Sequence, residues 1–126
     1  MHVDLARGAA LPIAWALAAL LAGIGVFALA APKRLADFYG ASTGARGFPF
    51  VRAAGWRDLV VGLILAAVAY RRDRVTLGIV AVAGILLALG DGTIAWMESR
   101  RFSQPLIAHL AGVLAFLVLL ETLIWP

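Results

Sequence analysis

Arg57, Asp58, Asp91 and His109 lie within apolar stretches of the chain, and such side chains can bind an anion and shuttle a proton. Arg57 and Asp58 are adjacent in one stretch, Asp91 lies in a second and His109 in a third. Carboxylates and imidazoles act as general acids and bases, and a guanidinium binds oxygen through several N–H groups. We therefore expect Asp91 or Asp58 to serve as the catalytic acid or base. His109 would relay the proton, and Arg57 would bind or polarise a substrate oxygen.

Each of these residues also has a structural interpretation. An Arg57–Asp91 ion pair would fasten two helices together, because pairing is the least costly way to accommodate either charge in lipid. Asp58 would cross-link a packed helix face in the same way. A single histidine near a helix start, such as His109, is often a polar residue with its hydrogen bonds satisfied. The sequence does not decide whether these residues form a functional site or only fasten the helices together, an alternative called here the structural lock.

Three further residues are candidates for substrate binding beside Arg57. Arg52 and Trp56 are close to it along the chain, and Glu98 lies seven residues after Asp91. Seven residues are nearly two turns of an α-helix, so the carboxylates of Asp91 and Glu98 share a face. For Arg52 the structural alternative is an arginine that extends its charged end to the membrane interface.

The composition indicates an integral membrane protein. The chain has 126 residues, of which 63% are hydrophobic and only 14% are charged. A soluble domain this short has too little interior to bury so much apolar surface. The net charge of +4 comes from arginines scattered over loops and helix ends. Such arginines set topology or contact anionic lipid, so we expect membrane lipid as a partner and no nucleic acid.

Four apolar segments predict an all-α fold, an antiparallel bundle of four transmembrane helices in a single domain of residues 1–126. The predicted helices span about residues 11–31, 50–70, 75–97 and 105–125. Alternate crossing of the bilayer brings Arg52, Arg57, Asp58, Asp91 and His109 toward one membrane face, and the depths of the last four predict a half-depth polar pocket. The polar connection Pro32–Pro49 is either a lid over that pocket or a solvated connector, with a short interfacial turn around Leu35, Phe38 and Tyr39.

Glycine spacing predicts which way Asp58 points. Gly55, Asp58, Gly62 and Leu65 share a stripe at three- and four-residue steps. Small residues permit close helix contact in membranes, so this face should point into the bundle. A similar stripe in the last helix contains His109 and Phe116.

Several kinds of chemistry are excluded or unsupported. The chain has no cysteine, which excludes thiolate metal sites and thiol redox chemistry. Neither histidine has the spacing of a metal-binding helix motif, and no glycine motif follows a strand. We therefore expect no metal and no cofactor.

The motif Phe38-Tyr39-Gly40, followed by the G-x-R-D-x-x-x-G pattern at Gly55, Arg57, Asp58 and Gly62, resembles a known family. This is the group of short four-helix membrane proteins called domain of unknown function 4267, found in bacteria and fungi. The resemblance covers nearly the whole chain. It implies that the Arg57-Asp58 pair belongs to the shared pattern, and it brings no established reaction.

Three functions remain open on these observations. The first is a cofactor-independent enzyme that isomerises or cyclises a lipophilic small molecule by proton transfer. The second is a non-catalytic accessory subunit whose polar cluster fixes the bundle, and the third is a small transporter acting as a homodimer. We expect the bacterial inner membrane as the location. The membrane face toward which Arg57, Asp58, Asp91 and His109 lie has one more basic residue than the opposite face, which favours a cytoplasmic position for these four residues.

Overall fold

The computed structural model describes residues 8–38 and 47–125, which form five helices and no strand. The helices are α1 (Ala10–Ala30), α2 (Pro32–Phe38), α3 (Phe48–Arg71), α4 (Arg74–Ser99) and α5 (Gln104–Ile124). All but α2 are long and apolar enough to cross a membrane. The all-α prediction is therefore confirmed, and each spanning helix begins and ends within two residues of its predicted bounds.

The short helix α2 replaces the interfacial turn expected after Pro32. Proline suits the first turn of a helix because its missing N–H would have no intrahelical partner there. Pro32 and Ala36 are buried, whereas Lys33, Arg34 and Phe38 are exposed. The rest of the predicted lid, residues 39–46, including Tyr39, lies outside the described residues.

Helices α1 and α3 pack so closely that glycine is required at the contact. A Cβ atom on Gly25 would lie 2.6 Å from the carbonyl oxygen of Gly55, and one on Gly62 would lie 2.7 Å from the nitrogen of Ala22. From the first contact to the second, the residue number falls in α1 and rises in α3, so the two helices run in opposite directions. The predicted small-residue stripe is thus the surface on which α3 meets α1.

Helices α4 and α5 form a second close pair. A Cβ atom on Gly84 would lie 2.6 Å from the ring of Phe116, and one on Gly92 would lie 3.5 Å from the Cβ of His109. Here the residue number rises in α4 as it falls in α5, so these two helices also run in opposite directions. In contrast, α3 contacts α4, and α1 contacts α5, much less extensively. The molecule is therefore two tightly packed helix pairs with looser packing between them.

The apolar core fills the end of the bundle that contains the start of α1 and the end of α5. Leu17, Leu65, Leu77 and Leu119 are buried there, with smaller residues between them. A side-chain N–H of Arg74 also donates to the carbonyl oxygen of Leu123 at this end. Because the core stops near mid-depth, the opposite half of the bundle has room for a cavity.

The turn between α3 and α4 is held by a helix cap. Arg72 ends α3 in the left-handed conformation, with φ of 54°. Asp73 then caps α4, since its Oδ1 accepts a hydrogen bond of 3.1 Å from the backbone N–H of Thr76. The hydroxyl of Thr76 donates to the other carboxylate oxygen. This is the usual role of aspartate at an N-cap.

Candidate functional site

Arg57, Asp58, Asp91 and His109, called here the Arg57 cluster, converge between the two helix pairs. Arg57 donates to Asp58 Oδ1 from Nε at 3.3 Å and from Nη2 at 3.2 Å. It also donates from Nη1 to Asp91 Oδ1 at 3.0 Å, and Nη2 lies 2.7 Å from Asp91 Oδ2. The guanidinium therefore binds two carboxylates at once, one on its own helix and one on α4.

His109 completes the cluster from α5. Its Nδ1 lies 4.0 Å from Asp91 Oδ2, the same oxygen that faces Arg57 Nη2. This separation is longer than a hydrogen bond, and a side-chain rotation or one bridging water would close it. Gly92, the residue after Asp91, faces His109, and a Cβ atom there would make ordinary contact with the Cβ of His109 at 3.5 Å. Asp91 thus lies between a permanent cation and a titratable base.

The cluster is neither fully buried nor fully exposed. The side chains of Arg57 and Asp91 are 35% and 22% accessible, and those of Asp58 and His109 are 25% and 33% accessible. Among the described residues, no buried side-chain nitrogen or oxygen lacks a hydrogen-bond partner. The polar atoms of the cluster can therefore be reached from the space beside them.

That space is a cavity of about 380 Å³, called here the inner cavity, which extends from the Arg57 cluster toward the apolar core. All four spanning helices contribute to its wall. Apart from the cluster, the wall is glycine and apolar side chains, among them Leu21, Ile24, Ala88 and Phe116. Exposed Leu20 and Leu87 also line it, so the inner cavity reaches the surface that faces lipid.

A second cavity of about 210 Å³, the outer cavity, lies on the other side of the cluster beneath α2. Leu35 and Ala36 of α2 line it, together with Pro105 at the start of α5. The two cavities share Ile24, Arg57, Asp58, Ala108 and His109. The Arg57 cluster therefore stands between a space near the membrane surface and a deeper apolar space.

The structure does not bring the other three candidate residues to the cluster. Arg52, Trp56 and Glu98 are exposed, and Trp56 is 60% accessible. None of the three is among the residues that line the two cavities. Arg52 and Trp56 are rotated away from the face of α3 that carries Asp58, as interfacial residues would be.

Glu98 lies beyond the level at which α4 meets α5. Gly92 of α4 faces Leu106, which is only two residues after the start of α5. Glu98 lies six residues beyond Gly92 along α4, so α5 does not extend far enough to cover it. The shared face was derived from helical spacing alone, which does not say where a neighbouring helix begins.

Sequence reasoning missed the contribution of α1. Leu17, Leu21 and Ile24 form one wall of the inner cavity, although α1 carries no charge to draw attention to it. Apolar residues at three- and four-residue steps are common to any packed helix, so no sequence signal separates a cavity wall from a core contact.

Together the fold and the site define a small polytopic helical protein with an ionic cluster inside a membrane-spanning bundle. The chain belongs to the family described as Domain of unknown function (DUF4267), whose sequence model matches residues 18–123. The matched range includes the whole Arg57 cluster, and the resemblance inferred from the G-x-R-D-x-x-x-G pattern is confirmed. No curated protein and no solved structure matches the chain.

Proposed function

We propose that the protein binds a lipophilic small molecule in the inner cavity and catalyses a cofactor-independent proton transfer on it, of the isomerisation or cyclisation type. The polar end of the molecule would lie against the Arg57 cluster, and its apolar part would occupy the space bounded by α1 and α5. The observation that carries the proposal is a cavity of about 380 Å³ with an apolar wall and ionisable groups at one end. Small-molecule sites are commonly apolar cavities with a few convergent polar groups.

Asp91 and His109 are the proton-transfer pair in this proposal. One of them takes a proton from a carbon or oxygen of the substrate, and the other returns a proton to a second atom of the same molecule. The proton count is unchanged at the end, so neither an oxidant nor a cofactor is needed. The 4.0 Å between Nδ1 and Oδ2 supports this pairing, since a side-chain rotation or one bridging water would let a proton pass between them within one turnover.

Arg57 and Asp58 have a supporting role in the same reaction. Arg57 holds both carboxylates in place, which keeps Asp91 directed at His109. One of its Nη1 hydrogens is not used in these contacts and is available to a substrate oxygen. Asp58 balances the charge of Arg57 and borders both cavities.

A structural lock is the second candidate function, and the ion pair itself favours it. The Arg57–Asp91 pair joins α3 to α4, which otherwise contact each other little. On this alternative the protein is a non-catalytic accessory membrane subunit.

The experiment begins with the native protein purified in lipid nanodiscs and with the small molecules that remain bound to it. Ala108 lines both cavities, so Ala108→Phe should block them, whereas Leu110 is exposed and outside both walls, so Leu110→Phe is the matched control. A molecule retained by wild type and Leu110→Phe but lost from Ala108→Phe, as measured by mass spectrometry, is the cavity ligand. If both variants retain the same molecules as wild type, the binding proposal is wrong.

Catalysis is then tested by transfer of the loaded nanodiscs into heavy water. Proton transfer at carbon incorporates deuterium into the ligand, and mass spectrometry detects the gain even when the product is unknown. We expect incorporation by wild type and none by Asp91→Asn or His109→Ala, with the fold retained. Equal incorporation in all three proteins, or none in any, would favour the lock.

We also propose that the Arg57 cluster faces the cytoplasm of a bacterial inner membrane. If the four segments cross the membrane in turn, Lys33, Arg34, Arg46, Arg100 and Arg101 fall on the cluster side of the sequence-based topology, and Arg7, Arg71, Arg72 and Arg74 fall on the opposite side. Cytoplasmic loops carry the excess of lysine and arginine, which here amounts to one residue.

A further inference from the structure

The charge balance of the Arg57 cluster restricts the kind of molecule that the inner cavity accepts. Arg57 brings one positive charge, and Asp58 and Asp91 bring two negative charges when both are ionised. With His109 neutral, the cluster has one negative charge in excess. With His109 protonated the charges balance, so neither state of the histidine leaves a positive charge for an anion.

No other charged side chain among the described residues lines either cavity to alter this balance. The inner cavity has Arg57, Asp58, Asp91 and His109 as its ionisable groups, and the outer cavity has three of these four. Helix α1 contributes only apolar residues to both walls. The nearby basic residues Lys33, Arg34 and Arg52 are exposed at helix ends, where water and salt screen their charges.

Building on the proposed function, we propose that the ligand of the inner cavity is a lipophilic amine that binds as its ammonium ion. The ammonium group donates hydrogen bonds to carboxylate oxygens of Asp58 and Asp91. The apolar part of the amine lies along Leu21, Ile24 and Phe116. Because the surroundings are apolar, the interaction between these charges is stronger than it would be in water.

The same geometry disfavours lipophilic acids. A carboxylate or phosphate entering the cavity would find only one Nη1 hydrogen of Arg57 outside the contacts with Asp58 and Asp91, so a bidentate contact would displace one of these two carboxylates. The displaced carboxylate would then remain in an apolar space without its partner, which is costly. A neutral alcohol meets neither the attraction nor this penalty.

The test uses three ligands that share one alkyl chain: dodecylamine, dodecanol and dodecanoate. Their binding to the protein is measured at neutral pH in nanodiscs of zwitterionic lipid, and binding to Ala108→Phe is subtracted to remove partition into the bilayer. We expect the amine to bind about tenfold or more tightly than the alcohol, and the acid to bind most weakly. Tightest binding by the acid, or equal binding by the amine and the alcohol, would overturn the inference.

Charge variants separate this inference from the proposed function. Asp91→Asn or Asp58→Asn should remove the preference for the amine and leave dodecanol binding unchanged, which also reports that the cavity is intact. The double variant leaves Arg57 without an ionised partner in the cluster and should reverse the preference toward dodecanoate. An amine preference that survives the double variant would refute the proposed ligand class. If none of the three ligands shows binding that depends on Ala108, the proposed function itself fails.

Discussion

The guanidinium of Arg57 binds the carboxylate of Asp91 across the boundary between the two helix pairs, with contacts of 3.0 and 2.7 Å. Arg57 belongs to α3, which packs mainly on α1, and Asp91 belongs to α4, which packs mainly on α5. This ion pair therefore spans a loosely packed boundary in the bundle, and it also forms one end of the inner cavity. The structural role and the chemical role that we propose therefore involve the same atoms, so experiments must measure stability and activity separately.

Replacing Asp91 by asparagine should lower the free energy of unfolding by about 1.5 kcal/mol, because a hydrogen bond to a charged group is lost. The loss stays near the low end of the usual range, since Asp58 still binds Arg57 and the pair is partly accessible. The measurement is reversible unfolding in mixed micelles. Glu98→Gln is the matched control, as it removes an exposed carboxylate from the same helix and should have little effect. Equal losses in the two variants would contradict a specific role for the Arg57–Asp91 pair.

The cluster could be predicted from the sequence because charge in an apolar segment is conspicuous and helical spacing fixes direction. Gly55 and Gly62 share a stripe with Asp58, and the structure buries both glycines against α1 while Asp58 borders the inner cavity. Spacing also placed Asp91 and His109 toward the same interior, where the structure brings them together. Each of these inferences needed only the period of one helix and the order of crossings.

The size and wall of the cavity could not be predicted, because they depend on how two helix pairs sit against each other. Sequence periodicity says that His109 and Phe116 face inward, but it does not say whether they touch neighbouring side chains or leave a space beside them. It also assigned Glu98 to the face of Asp91 without showing that α5 starts too late to cover it. Such differences arise from tertiary packing, which no single segment encodes.

The cap formed by Asp73 should make part of the stability depend on acidity. Hydrogen bonds from the hydroxyl and then the backbone N–H of Thr76 lower the pKa of Asp73 below its ordinary value of about 3.9. A lowered pKa in the folded state means that the contribution is complete above the ordinary value and is lost as pH falls through the lowered one. We expect the melting temperature of wild type to fall in this acidic range more than that of Asp73→Asn.

Asp73→Asn is the control for this prediction because asparagine can accept the same hydrogen bond but does not titrate. The other carboxylates titrate equally in both proteins, so the difference between the two curves isolates Asp73. Parallel curves across the whole range would show that the cap does not contribute to acid stability.

The orientation of the protein can be tested from its end. If the four spanning helices cross the membrane in turn, both termini lie opposite the Arg57 cluster, outside the cytoplasm in our proposal. Green fluorescent protein fused after Pro126 should then be dark, and alkaline phosphatase fused there should be active. The same reporters fused after a truncation at Arg100 should give the reverse result. A fluorescent fusion at Pro126 would place the cluster on the outer side and contradict the proposal.

The contact between α1 and α3 predicts opposite effects for two glycines that are only two residues apart. Gly25→Ala should lower the free energy of unfolding by about 1–3 kcal/mol, because its new methyl group would collide with the backbone of Gly55 and Leu59, which cannot move aside easily. Gly23 faces open space, with nothing within 4 Å of a Cβ atom there, so Gly23→Ala should leave stability unchanged or raise it by up to about 1 kcal/mol through its higher helix propensity. Both values are measured by unfolding in mixed micelles, and Gly62→Ala should repeat the effect of Gly25→Ala at the deeper end of the same contact. Equal effects of the Gly23 and Gly25 substitutions would mean that α1 and α3 do not approach as closely as the structure shows.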